Sequence, residues 1–288
     1  MVAPTTELLI ETDVLAERLD DPTLRVFDCT VLLDVGPDGL RIESGRDRWV
    51  EGHVPGAGFL DLLVELSDAR SPYHFMLPSA ERFAEAMSAH GVEDGTRVVL
   101  YDSGGSMWAA RVWWMLCAYG FDGAAILNGG WTKWTLEGRP VEEGEAGYPP
   151  ARFEARPRAG VFVGKEDVLG ALGGSACLVN ALGEEQHAGS GPTVPGGRPG
   201  RIPGSANVPA TRLVDPATQA FLPRLELEAV LVEAGATADR PVITYCGGGI
   251  AASSVAFALR LLGREDVAIY DASLEEWATD AGLPIEVG

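Results

Sequence analysis

The second half of this chain repeats the first, and that repetition limits the possible architecture more than any other feature of the sequence. A short apolar strand pattern, Arg25-Val-Phe-Asp28, precedes the turn Gly52-His-Val-Pro-Gly-Ala57, and Cys177-Leu-Val-Asn180 stands in the same way before Arg201-Ile-Pro-Gly-Ser-Ala206. Next come Leu77-Pro-Ser with an amphipathic helix over Glu81 to His90, matched by Leu222-Pro-Arg with a helix over Leu225 to Glu233. A central strand follows in each half, Arg97 to Tyr101 and Pro241 to Tyr245, running into a glycine-containing loop and an apolar helix. A last strand, Ala124 to Leu127 or Val267 to Tyr270, leads to a helix bearing Trp134 or Trp277. Strands alternating with helices in this order predict an α/β fold, two domains each with a mostly parallel sheet flanked by helices on both faces.

The proline- and glycine-rich stretch 144–160 falls between the repeats and reads as a linker, giving domains over 1–143 and 161–288. A second irregular stretch, Gly183 to Gly200, is predicted to be a long loop, a class of segment that often carries function. The formal charge of -20 argues against a nucleic-acid backbone or an anionic membrane surface as partner, since both select for basic patches. The first twenty residues carry acids early and lack a basic then apolar order, so no leader is visible and a cytoplasmic location is expected. The uncharged run Pro241 to Leu259 is interrupted by three glycines and two serines, which fits a strand, a turn and a buried helix better than a membrane span. Cys29, Cys117, Cys177 and Cys246 form no CxxC pair and no Cys/His cluster, so reduced thiols and no metal are expected.

One of these cysteines stands where chemistry is expected. Cys246 lies where a buried strand turns into a helix through Gly247, Gly248 and Gly249, with Ile250, Ala251 and Ala252 opening the helix. Successive backbone N–H groups in such a turn converge on one point, and the helix start adds partial positive charge. A thiolate is stabilised there, and so is the terminal sulfur of a persulfide, so the cradle serves both states of a double-displacement sulfur carrier. In the first half Asp102 occupies the place of Cys246.

The loop admits three other readings. A cysteine phosphatase needs an arginine six residues after the nucleophile to clamp phosphate, whereas position 252 is alanine and the next arginine is Arg260. A dinucleotide site is suggested by Gly247, Gly249 and Ala252 with Asp271 further on, but too little chain follows Asp271 for the remaining strands of such a domain. The third reading makes Cys246 an inert core residue.

The quoted repeats, with Ser71-Pro-Tyr and Met76-Leu-Pro-Ser79, Ala110-Arg-Val-Trp-Trp-Met115, Leu127-Asn-Gly-Gly-Trp131 and Arg201-Ile-Pro-Gly-Ser-Ala-Asn-Val-Pro209, resemble the tandem-domain rhodanese family, in its thiosulfate/3-mercaptopyruvate sulfurtransferase group. The resemblance covers nearly the whole chain. It implies two tandem rhodanese-like domains, the first lacking the catalytic cysteine, and a sulfurtransferase that needs no cofactor. A small-molecule sulfur donor would load Cys246, and a thiol, cyanide or a protein thiol would accept the sulfur. It also implies cations for the donor from the segment before the second Pro-Gly motif. Arg198 and Arg201 are the candidates, with His187 in place of a further arginine and Arg201 where the motif histidine usually sits. His53 is the motif histidine of the first half, with Asp47 as a possible partner, and Tyr73 and His74 are expected to line the cleft.

Thiosulfate-preferring members of the family usually carry basic residues just after the cysteine, whereas mercaptopyruvate-preferring members carry Cys-Gly-Ser/Thr-Gly, an apolar residue and a small one. Cys246-Gly-Gly-Gly-Ile-Ala resembles the second pattern, with Gly248 in place of the hydroxyl residue. The competing class is a sulfur relay or interaction protein that takes persulfide from a protein partner with little turnover of small donors; a third option is a non-catalytic pair of domains.

Overall fold

The computed structural model describes residues 7–36, 39–236 and 240–288; residues 1–6, part of the segment read above for a leader, lie outside them. The chain forms two units. One holds the chain up to Ala69, Pro78–Arg158 and Ala217–Ala220, and the other holds Arg70–Leu77, Ala159–Pro216 and Phe221–Gly288. Two short segments therefore belong to the unit built mainly from the opposite half of the sequence.

In the first unit the order is β1 (Leu9–Ile10), α1 (Thr12–Ala16), β2 (Leu24–Asp28), β3 (Val31–Gly36), β4 (Gly39–Ser44), α2 (Arg46–Glu51), β5 (Gly58–Phe59), α3 (Ala80–Ala89), β6 (Arg97–Tyr101), α4 (Met107–Ala118), β7 (Ala124–Leu127) and α5 (Gly130–Leu136). The main sheet runs β1-β7-β6-β2-β5, parallel throughout, and β3 and β4 form a separate antiparallel hairpin. The second unit comprises β8 (Phe162–Val163), α6 (Lys165–Ala171), β9 (Cys177–Asn180), α7 (Glu184–Ala188), β10 (Ala206–Asn207), a 3-10 turn (Ala210–Leu213), α8 (Arg224–Glu233), β11 (Val242–Tyr245), α9 (Ile250–Leu261), β12 (Val267–Tyr270) and α10 (Ser273–Trp277). Its sheet runs β10-β9-β11-β12-β8, again all parallel, which is the first unit's order strand for strand.

The sequence accounts for this order. Apart from exposed Arg97 at the start of β6 and buried Thr244 in β11, the central strands β6 and β11 are runs of valine, leucine, isoleucine and tyrosine, buried on both faces as parallel strands covered by helices require. Helices α4 and α9 bury nearly all of their length against them. Trp134 and Trp277, both fully buried, close the two cores by donating their indole N–H to Pro140 O at 2.8 Å and Pro284 O at 2.7 Å. The strand after β9 lies on one side of it and β11 on the other, so the carboxyl ends of β9 and β11 flank a topological switch point, where ligands of open α/β sheets bind.

One expectation is corrected here. The stretch 183–200 is not loop throughout, because α7 forms within it over Glu184–Ala188. Two acids in its first turn suit the helix dipole, and Gly189, at φ 81°, ends it in the left-handed conformation that glycine tolerates. No helix among the described residues is long and apolar enough to cross a membrane.

Candidate active site

Strand β11 delivers Cys246 to its carboxyl end, 2% exposed, and Gly249 at φ 77° turns the chain into α9. Only a residue tolerant of the left-handed region permits so short a connection. The outward carbonyls of the loop are already used: Leu274 N donates to Cys246 O at 3.0 Å and Glu275 N to Gly247 O at 2.9 Å. The Cys246 amide donates to Ser273 Oγ at 3.1 Å, and Ser273 Oγ donates in turn to Tyr270 O at 2.8 Å. The turn leading into α10 thus holds the loop from behind. Among the described residues, the amides of Gly247, Gly248, Gly249, Ile250 and Ala251 have no acceptor within the protein. The last two belong to the first turn of α9, where no intrahelical acceptor exists.

The first unit displays what such a set of amides does. Asp102, at the end of β6, folds its carboxylate into its own loop: Oδ1 accepts from Gly104 N at 2.7 Å and Ser106 N at 3.0 Å, and Oδ2 from Trp108 N at 2.9 Å and Ala109 N at 2.8 Å. Burial raises the Asp102 carboxyl above its ordinary value, and these four amides act against that rise. Ser106, at φ 63°, does the work of Gly249, and Trp131 N donates to Asp102 O at 3.0 Å just as Leu274 N does to Cys246 O. One repeat therefore carries a permanently occupied anion cradle, and the other presents its amides around a cysteine.

Other residues predicted from the sequence take varied places. Arg198 and Arg201 do not offer free cations to a donor. The Arg198 guanidinium donates to Ala278 O at 3.1 Å, Asp280 O at 2.7 Å and Leu283 O at 2.9 Å, because the end of α10 leaves carbonyls without intrahelical partners. Arg201 pairs with Glu286 and donates to the carbonyls of Gly288 and His187. Its backbone forms a bridge with Glu286, as that of His53 does with Glu142, so the two residues hold matching positions in the two repeats. His187 is driven by burial, and then by the charge of Arg201, down to about 4, so its ring is neutral and is not a cation for a donor. His53 is fully buried in the first unit, stacked on Trp49 at 4.9 Å, with Nδ1 bonded to Trp49 O at 2.8 Å. That carbonyl, rather than the exposed Asp47 on α2, is its partner.

Tyr73 and His74 do reach the second unit. Tyr73 packs against its core, and His74 bonds to Glu275 through N at 2.7 Å and Nδ1 at 2.9 Å. Three neighbours of the loop escaped the sequence reading. A Cβ at Gly247 would lie 3.5 Å from Val194 Cγ1, and one at Gly248 would lie 3.4 Å from Glu275 Oε1 and 3.7 Å from Phe75 Cδ2. No local pattern marks Glu275 or Val194, whereas Phe75 could have been suspected from its place beside His74. Among the described residues no group of side chains is suited to hold a metal.

The family model of the Rhodanese-like domain matches residues 11–137 and 197–280. A 3-mercaptopyruvate sulfurtransferase of Escherichia coli (strain K12) is 34% identical over 284 residues, 98% of this chain and 99% of that protein. A thiosulfate sulfurtransferase of Cricetulus griseus is 35% identical over 278 residues, 93% of this chain and 91% of that one. The crystal structure of SseA from Escherichia coli superposes with a TM-score of 0.83 at 33% identity, covering 93% of this chain and 99% of that chain. Tum1 of Saccharomyces cerevisiae, at 24% identity and a TM-score of 0.83, shares the fold. Matches in both halves, with full-length likeness to two kinds of sulfurtransferase, place the chain in the rhodanese family, as a sulfurtransferase of two Rhodanese-like domains.

Proposed function

We propose that this enzyme takes sulfur from 3-mercaptopyruvate onto Cys246 as a persulfide and passes it to a thiol or cyanide. The observation that carries the role of Cys246 is the four-amide hold on Asp102 in the matching loop, which supports an anion-binding role for residues 247–252. The Cys246 thiolate attacks the donor sulfur, the carbon–sulfur bond breaks, and its electron pair leaves as the enolate of pyruvate, which takes a proton at carbon. The outer sulfur then carries the negative charge against the loop amides. An acceptor thiolate or cyanide attacks that sulfur, the sulfur–sulfur bond breaks, and the pair returns to Cys246.

Identity does not separate the two donors, since relatives of both kinds match equally well. The loop does favour one. It has no basic side chain, Arg201 is paired with Glu286, and Arg198 is bonded to the carbonyls that follow α10, an arrangement that suits a monoanionic donor better than dianionic thiosulfate. We assign catalysis to domain 161–288, with 1–143 as its companion and 144–160 as linker. The charge of -20 and the four free thiols support a cytoplasmic enzyme with no nucleic-acid or membrane partner.

The test is turnover to cyanide with each donor, for the wild type and Cys246→Ser. Loss of all turnover in the variant and a higher kcat/KM for 3-mercaptopyruvate are expected. A fully active serine variant would refute the persulfide, and a preference for thiosulfate would refute the donor.

A further inference from the structure

Transfer from 3-mercaptopyruvate poses a problem that transfer from thiosulfate does not. Thiosulfate gives up sulfur and leaves as sulfite with no proton moved. 3-Mercaptopyruvate enters with a proton on sulfur and leaves with one more on carbon, so the S–H proton has to be taken up and one delivered to the enolate. Cys246 cannot supply it, because its thiolate is the nucleophile. A group beside the loop that accepts and returns this proton would speed the transfer.

We propose that His74 is that acid–base group and that Glu275 is the positioning residue that orients it. The inference rests on the mercaptopyruvate reading above. Glu275 sits in the first turn of α10 with its own amide on Gly247 O at 2.9 Å, so its place is tied to the cysteine loop itself. Its carboxylate lies over Gly248, where a Cβ would stand 3.4 Å from Oε1. A carboxylate beside a set of anion-binding amides opposes the binding of a negative donor unless it serves another purpose. Here it takes two hydrogen bonds from one residue, His74 N at 2.7 Å and Nδ1 at 2.9 Å, while its side chain is only 16% exposed. A carboxylate that accepts from Nδ1–H fixes the tautomer and leaves the lone pair on Nε2, at the far edge of the ring, to take and return a proton. The imidazole is 54% exposed and so is open to a donor.

The chain is held in place to achieve this. Leu77 N donates to Asp271 Oδ2 at 2.9 Å, Tyr73 and Met76 pack on the core, and between them Phe75 adopts φ 57°. A bulky residue at positive φ is strained and persists where the surroundings over-determine it. Phe75 lies over Gly248 from the same side, which brings His74 and the loop into one neighbourhood.

In the proposed step, Nε2 takes the S–H proton as Cys246 attacks, and the resulting imidazolium, stabilised by Glu275, delivers it to the enolate carbon. The proton count closes without any further reactant. The test compares both donors with cyanide as the common acceptor in the wild type, His74→Ala, His74→Gln and Glu275→Gln, with and without added imidazole. The kcat ratio of 3-mercaptopyruvate to thiosulfate should fall by about 10²-fold in the His74 variants and by a smaller factor in Glu275→Gln. Imidazole should restore part of the loss in His74→Ala and none in the Glu275 variant. Equal losses with both donors would make the pair a structural staple for segment 70–77 and overturn the proposal, as would an unchanged ratio. A wild type that does not turn over 3-mercaptopyruvate would overturn the donor assignment first, and this step with it.

Discussion

At the scale of single residues, the two repeats differ at positions whose surroundings are otherwise shared. Asp28 ends β2 and accepts Thr30 N at 2.8 Å, and Asn180 ends β9 and accepts Leu182 N at 2.9 Å in the same way. Burial, opposed by the Thr30 bonds, raises the Asp28 carboxyl to about 7, with the charge of Asp102 adding to the rise. Because its folded value lies above its unfolded one, the protonated form favours folding at low pH, and that contribution is lost as pH rises from about 4 toward 7. Asp28→Asn, copying the second repeat, should therefore stabilise the protein more at pH 8 than at pH 5, by about 1–3 kcal/mol in urea unfolding. An equal gain at both pH values would show that the carboxyl is ionised throughout. The strand, glycine turn and helix start around Cys246 were legible in the sequence because they are consecutive in the chain. The engagement of Arg198 was not, because its partners are backbone carbonyls, which carry no side-chain signature.

At the scale of elements, α10 does more than its five residues suggest. Its first turn backs the cysteine loop, and its last turn is clamped by Arg198. Arg198→Ala should lower stability by about 2 kcal/mol, as charge-assisted bonds to half-buried carbonyls are lost. KM should change by a similar factor for both donors, whereas a donor-binding arginine would raise KM selectively. Steady-state kinetics beside a denaturation curve separate the two roles. The helices and central strands stood out in the sequence through their apolar periodicity. Segment 70–77 did not reveal its destination, since His74 and Glu275 lie 201 positions apart and periodicity reports only local geometry.

At the scale of the whole molecule, the two sheets share one strand order, yet neither unit is a continuous piece of chain. A division of the sequence at the linker leaves the second unit without residues 70–77. Residues 159–288 produced alone should then unfold at lower urea concentration than the full chain, by about 2 kcal/mol. The losses are the Leu77–Asp271 and His74–Glu275 bonds and the packing of Tyr73 and Met76. Equal unfolding midpoints would mean that the segment adds nothing to the unit. The duplication itself was legible from motif order, whereas this exchange of short segments has no composition or pattern to betray it.

The occupied loop of the first unit also bears on how the enzyme behaves in a test tube. Asp102 keeps one of the two nests of amides permanently closed to the medium, so a chain with two repeats should bind one small oxyanion rather than two. Sulfate, phosphate or the sulfite left by thiosulfate would compete for the remaining nest at Cys246. The choice of buffer then becomes part of the chemistry, and a sulfate- or phosphate-rich medium will understate the true rate of sulfur transfer.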